Sequence, residues 1–149
     1  MFKIALALHL LFVVFVIGPL VHAATTAGRG VRRGDAPAVT ASAQMLRIYS
    51  YASILVVLFG FAVMSSKSAY THKATAEFGD TWIWLSTLLW LVAVALVLGV
   101  LVPGLEKASE LIGRQEQVTA LTGRIAATGG VVGLIFAVVV LLMVYRPGG

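Results

Sequence analysis

Four uninterrupted apolar runs stand out along the chain: Ile4 to Ala24, Ile48 to Met64 with Ser66 at its limit, Trp82 to Val102, and Ile125 to Tyr145. An α-helix needs about 20 apolar residues to cross a hydrocarbon core roughly 30 Å thick, and the runs are of that order. The pattern predicts an all-α membrane protein of four transmembrane helices in a single domain over 1–149, with spans at about 4–24, 48–66, 82–102 and 125–145. None of the runs contains Asp, Glu, Lys or Arg, so each helix can satisfy its backbone internally without neutralising a buried charge.

Orientation follows from the cations in the connections, because short loops rich in Lys and Arg stay in the cytoplasm. The connections 25–47 and 103–124 carry Arg29, Arg32, Arg33, Arg47, Lys107, Arg114 and Arg124, against Lys3, Lys67, Lys73 and Arg146 on the other side. Both connections are therefore placed in the cytoplasm and both termini on the outer side, in the inner membrane of a bacterial cell. Lys3 before an apolar run ending in Val21-His22-Ala23 has the form of a secretory signal, and it is read here as an uncleaved first span.

Small and aromatic residues qualify this picture. Gly129 and Gly133, flanked by Ala126 and Gly130, and Ala95 with Gly99 have the spacing that lets helices approach closely in lipid, so all six are expected at helix contacts. Tyr49, Trp82, Trp84 and Tyr145 lie near span ends and are expected as headgroup-level anchors. Asp35 ahead of Pro37 predicts a capped helix from Ala38 to Met64 that starts outside the bilayer, and Glu110 stands four residues before Arg114, a favourable helical pair. Laying Arg47-Ile48 on Arg124-Ile125 aligns the second and fourth spans, Gly18-Pro19-Leu20 resembles Pro103-Gly104-Leu105, and the two basic connections are nearly equal in length. The chain thus suggests two parallel copies of one helical hairpin.

Composition narrows the chemistry. Of 149 residues 60% are apolar and 11% charged, the net charge is +5 and cysteine is absent, with a mean hydropathy of +0.99; soluble domains run near 45–50% apolar and 25% charged. Disulfides and thiolate chemistry are excluded. Asp35, Glu77, Asp80, Glu106, Glu110 and Glu116 all fall in connections, which disfavours acid–base catalysis and proton- or ion-coupled transport; the chain is expected not to be an enzyme. The positive charge is accounted for by topology and anionic lipid, with no nucleic acid as partner.

His9 is the one ionisable residue well inside a span. An imidazole among Leu8, Leu10 and Leu11 must stay neutral or find a partner, such as a backbone carbonyl. A haem clamped by two histidines is disfavoured, since His22 lies thirteen residues along the same helix and His72 in a loop. Met64 and Met143 fall on the same side of the membrane as His9, so a His and Met site for haem or copper remains as an alternative. No cofactor is expected otherwise. Gly18-Pro19 is expected to kink the first span, a feature that in a transporter can open a substrate site, so a small transporter stands as a further alternative.

Leu8-His9-Leu10-Leu11 with Gly18-Pro19, the basic segment Arg29 to Pro37, and Gly123-Arg124-Ile125 through Met143-Val144-Tyr145-Arg146-Pro147 resemble the bacterial integral membrane family known as domain of unknown function 2269. The family is similar to the copper-resistance D-type membrane proteins, whose histidines imply metal or haem handling; only His9 is placed like such a ligand here. The four-span style is also similar to accessory subunits of actinobacterial respiratory supercomplexes. The resemblance implies a non-catalytic accessory subunit bound to other integral membrane subunits, with cytochrome c oxidase as the named expectation.

Overall fold

The computed structural model describes residues 2–65 and 80–147; the expectations for Ser66, Lys67, His72, Lys73 and Glu77 lie outside the described residues. Four helices are long and apolar enough to cross a membrane: α1 (Phe2–Arg32), α2 (Ala36–Ser65), α3 (Thr81–Gly113) and α4 (Thr119–Tyr145). The protein is a multi-pass helical membrane protein. The helices extend well beyond the apolar runs, so the connections 25–47 and 103–124 are mostly helix, with turns only at 33–35 and 114–118. The cause lies in α1 beyond Pro19, where Leu20, Ala23, Ala24, Ala27 and Val31 form a buried stripe while His22, Arg29, Arg32 and Arg33 are exposed. Hydropathy falls there because one face is polar, but helical periodicity continues.

Both turns close with the same hydrogen bonds. Asp35 N–H reaches the Gly30 carbonyl and Gly34 N–H that of Val31; Glu116 N–H reaches Leu111 and Gln115 N–H reaches Ile112. This Schellman arrangement needs one left-handed residue, supplied by Gly34 at φ 65° and by Gln115 at φ 59°. Asp35 then caps α2, its Oδ1 accepting from Ala38 N–H at 3.2 Å, as expected.

α1 and α3 share a second feature. Five-residue π-helical segments, Val13–Ile17 and Val97–Leu101, lie just ahead of Pro19 and Pro103. A proline supplies no N–H and crowds the preceding turn. The widened turn absorbs this, with Gly18 N–H donating to Val13 O and Val102 N–H to Val97 O. At Gly18-Pro19 the helix therefore changes register and runs on through the proline.

The register change decides who packs on whom. Before its π segment, α1 packs on α2 and α3 packs on α4, each within its own hairpin; after it, α1 crosses onto α4 and α3 onto α2. The two hairpins repeat this pairing, although only α1 also keeps its own partner α2 closely beside its second half. The core lies accordingly at the end of the bundle that carries the turns, where Leu20, Val31, Val39, Leu46, Leu101, Leu105 and Ile125 are fully buried. At the other end, where the chain termini lie, the backbones of the two hairpins scarcely meet among the described residues.

Candidate functional site

Where the hairpins part, a cavity of about 370 Å³ opens between all four helices. That volume is within the range of small-molecule sites, roughly 300–1,000 Å³. Its walls are mainly apolar, and Trp82, Trp90 and Phe136 give them flat aromatic surface. Trp90 closes the floor by reaching across from α3 to α2, its Nε1–H donating to Ser53 Oγ at 3.0 Å. Ser53 in turn donates to the Ser50 carbonyl at 2.6 Å. At the terminal end Arg146 lies over the Trp82 ring, 5.4 Å from its centroid, and both line the cavity.

His9 enters this wall from α1 at 8% exposure. Its Nδ1 is 2.9 Å from the Val56 carbonyl oxygen of α2. A carbonyl only accepts, so Nδ1 carries the proton and donates, leaving a lone pair on Nε2. Nε2 makes no hydrogen bond among the described residues. The ring can lie this close to α2 because residue 60 is glycine: a Cβ there would come 3.1 Å from His9 Cε1. Phe12 and Phe59, stacked with centroids 5.1 Å apart, hold α1 to α2 one turn away. The backbone-carbonyl partner expected for His9 is therefore present.

Ser86 lines the same cavity from α3 at 6% exposure, and its Oγ has no hydrogen-bond partner among the described residues. Helical hydroxyls ordinarily return to a carbonyl of their own helix. Thr25, Thr26, Ser65, Thr87, Thr122 and Thr128 all do so here. Ser50, buried in α2 away from the cavity, is the other buried hydroxyl without a partner among the described residues. Sequence reasoning missed Ser86, since a serine in an apolar span reads as satisfied. Met64 and Met143, paired with His9 from the sequence, line the cavity with it.

The small residues divide. A Cβ at Gly129 would collide with the Ala24 carbonyl oxygen, one at Gly133 would meet the Thr25 methyl at 3.0 Å, and one at Gly28 would touch Ala126 at 3.4 Å. Gly129, Gly133 and Ala126 therefore join α4 to α1. Gly99 and Gly130 have nothing within 4 Å, and Ala95 is exposed, so these three do not serve a contact within the bundle. Trp84 and Tyr145 are exposed at helix ends, Trp82 sits under Arg146, and Tyr49, within α2, packs against the core.

Charges collect at the turn end. Arg47 of α2 pairs with Glu106 of α3, Arg114 pairs with Glu110 at 2.7 Å, and Thr40 and Ser109 share a hydrogen bond of 2.8 Å. These tie α2 to α3 and fasten the end of α3. Arg29 and Arg33 on the exposed face of α1 make no ion pair among the described residues.

A four-span bundle of two like hairpins, with a cavity at one end and a basic face at the other, is the class of protein these elements define. The model of a predicted integral membrane protein family, DUF2269, matches residues 3–147, and the chain belongs to that family. No curated protein and no solved structure matches the chain.

Proposed function

We propose that the protein is a non-catalytic accessory subunit of a larger membrane complex, with the cytochrome c oxidase part of a bacterial respiratory supercomplex as the specific assembly. One observation carries the reading: the second half of α1 and the turn that follows it present His22, Thr25, Arg29, Arg32 and Arg33 as an exposed stripe, opposite the buried side of α1. The carboxylates Glu106 and Glu110 at this end are already engaged with Arg47 and Arg114. A polar, cationic helix face is poorly matched to acyl chains and well matched to acidic groups of a neighbouring subunit at the cytoplasmic headgroup level, with anionic lipid filling the rest. The test is a mild-detergent pull-down of a tagged chain with mass spectrometry. Stoichiometric oxidase subunits, lost in Arg29→Gln/Arg33→Gln, are expected; recovery of the bare chain would overturn the reading.

Haem or copper held by His9 is the second reading. Its support is that Met64 and Met143 share a cavity with His9, whose Nε2 is the nitrogen left by Val56. An imidazole with thioethers suits cuprous copper, and a His and Met pair can hold haem iron. Metal analysis and an optical spectrum test it, with a Soret band that vanishes in His9→Ala as the haem outcome.

A further inference from the structure

We infer that the cavity between the two hairpins binds a neutral lipophilic molecule with an aromatic hydroxyl head, of the phenol or hydroquinone class, held by His9 and Ser86. This goes beyond the accessory reading and stands without it, because it concerns the isolated chain.

The donor set argues for the hydroxyl. With its Nδ1 proton given to Val56, His9 presents only a lone pair at Nε2, so the ligand must donate to it. Ser86 contributes a buried hydroxyl that, unlike that of its neighbour Thr87, has no hydrogen-bond partner among the described residues. A buried hydroxyl without a partner is costly, and a ligand oxygen that accepts from Ser86 while donating to His9 would satisfy both groups together. An aromatic O–H has both capacities; a quinone carbonyl or an aryl ether can only accept.

The shape argues for the ring and the tail. Trp90 and Phe136 bring aromatic rings to the cavity wall away from Arg146, a surface suited to another ring. The Trp90 to Ser53 hydrogen bond shuts the floor, and the cavity extends from there toward the chain termini, where Arg146 covers Trp82. Among the described residues no carboxylate, Lys or second imidazole lines it, and the Arg146 cation lies over the Trp82 ring at the terminal end, which favours an uncharged head beside His9. The parting of the hairpins beyond the π segments gives an apolar tail its room.

The experiment is equilibrium binding of tritiated decyl-hydroquinone to the full, metal-free chain in nanodiscs, kept reduced and anaerobic, against decyl-hydroquinone dimethyl ether and the oxidised quinone as competitors. Saturable binding is expected, with the ether and the quinone about tenfold weaker, as for one or two lost hydrogen bonds. Ser86→Ala and His9→Phe should each weaken the hydroquinone to the level of the ether. Equal affinity for hydroquinone and ether would overturn the proposal without any variant, so a folding failure of His9→Phe cannot shield it. Absence of saturable binding to the wild-type chain would overturn it equally.

Discussion

The two ends of the bundle are built from the same four helices and the same hydrophobic residue types, yet one is solid and the other open. At the turn end, glycines on α4 admit the α1 backbone, ion pairs and hydroxyls fasten α2 and α3, and the large aliphatic residues are fully buried. At the terminus end each odd-numbered helix keeps only its hairpin partner, and a cavity separates the pairs. The difference starts at two prolines. By changing helix register just ahead of Pro19 and Pro103, α1 and α3 exchange partners midway, so close packing at one end is geometrically linked to separation at the other. A packed anchor joined to an open pocket is an arrangement in which local stability differs between the two halves.

The largest expected effect comes from breaking the solid end. Gly129→Ala should destabilise the folded protein by about 3 kcal/mol or more, since backbone must yield to backbone, whereas Gly130→Ala should change stability by less than about 0.5 kcal/mol; reversible unfolding in mixed micelles compares them. Equal losses would show that the α1–α4 approach is not the tight contact described. Next in size, Gly34→Ala should cost about 1 kcal/mol at its left-handed position, while Gln115→Gly should gain a similar amount by relieving the equivalent position in the second turn. The same unfolding measurement reads both.

At the open end the sign reverses. Ser86→Ala should leave stability unchanged or raise it by about 1 kcal/mol, because a buried hydroxyl with no partner is replaced by a methyl group. A loss above about 1 kcal/mol in thermal unfolding would mean that Ser86 is engaged within the bundle. The smallest effect belongs to the Arg47 and Glu106 pair, whose side chains are about half exposed; Arg47→Gln should cost about 0.5 kcal/mol, diminishing in high salt.

Much of this architecture was legible in the residues. Four long uncharged runs can satisfy lipid only as helices, so their number followed directly. The helix ends did not, because hydropathy measures the medium around a segment: the half-polar stretch from Thr25 to Arg32 reads as a connection although it is helix. His9 announced itself by polarity, and Met64 and Met143 by their place along the spans. The Val56 carbonyl, 47 residues from His9, and the space left by Gly60 were invisible, since both depend on how α1 meets α2. Among the small residues, the spacing of Gly129 and Gly133 was informative, but it could not tell Gly129, pressed on Ala24, from Gly130 one residue on. Pro19 was noted for a kink and Pro103 only for its likeness to that segment; the π segments that turn them into an exchange of partners had no signal beyond Gly18-Pro19 and Pro103-Gly104 themselves.

The most direct test of a bundle solid at one end and open at the other uses its two buried, unpartnered serines. Ser50 at 1% exposure and Ser86 at 6% are almost equally hidden, but only Ser86 lines the cavity. The chain has no cysteine, so Ser50→Cys and Ser86→Cys each introduce a unique thiol. With the membrane-permeant N-ethylmaleimide, the thiol at 86 should label at least about tenfold faster than that at 50. Equal, slow labelling of the two in folded protein would contradict the parting of the hairpins on which the account rests.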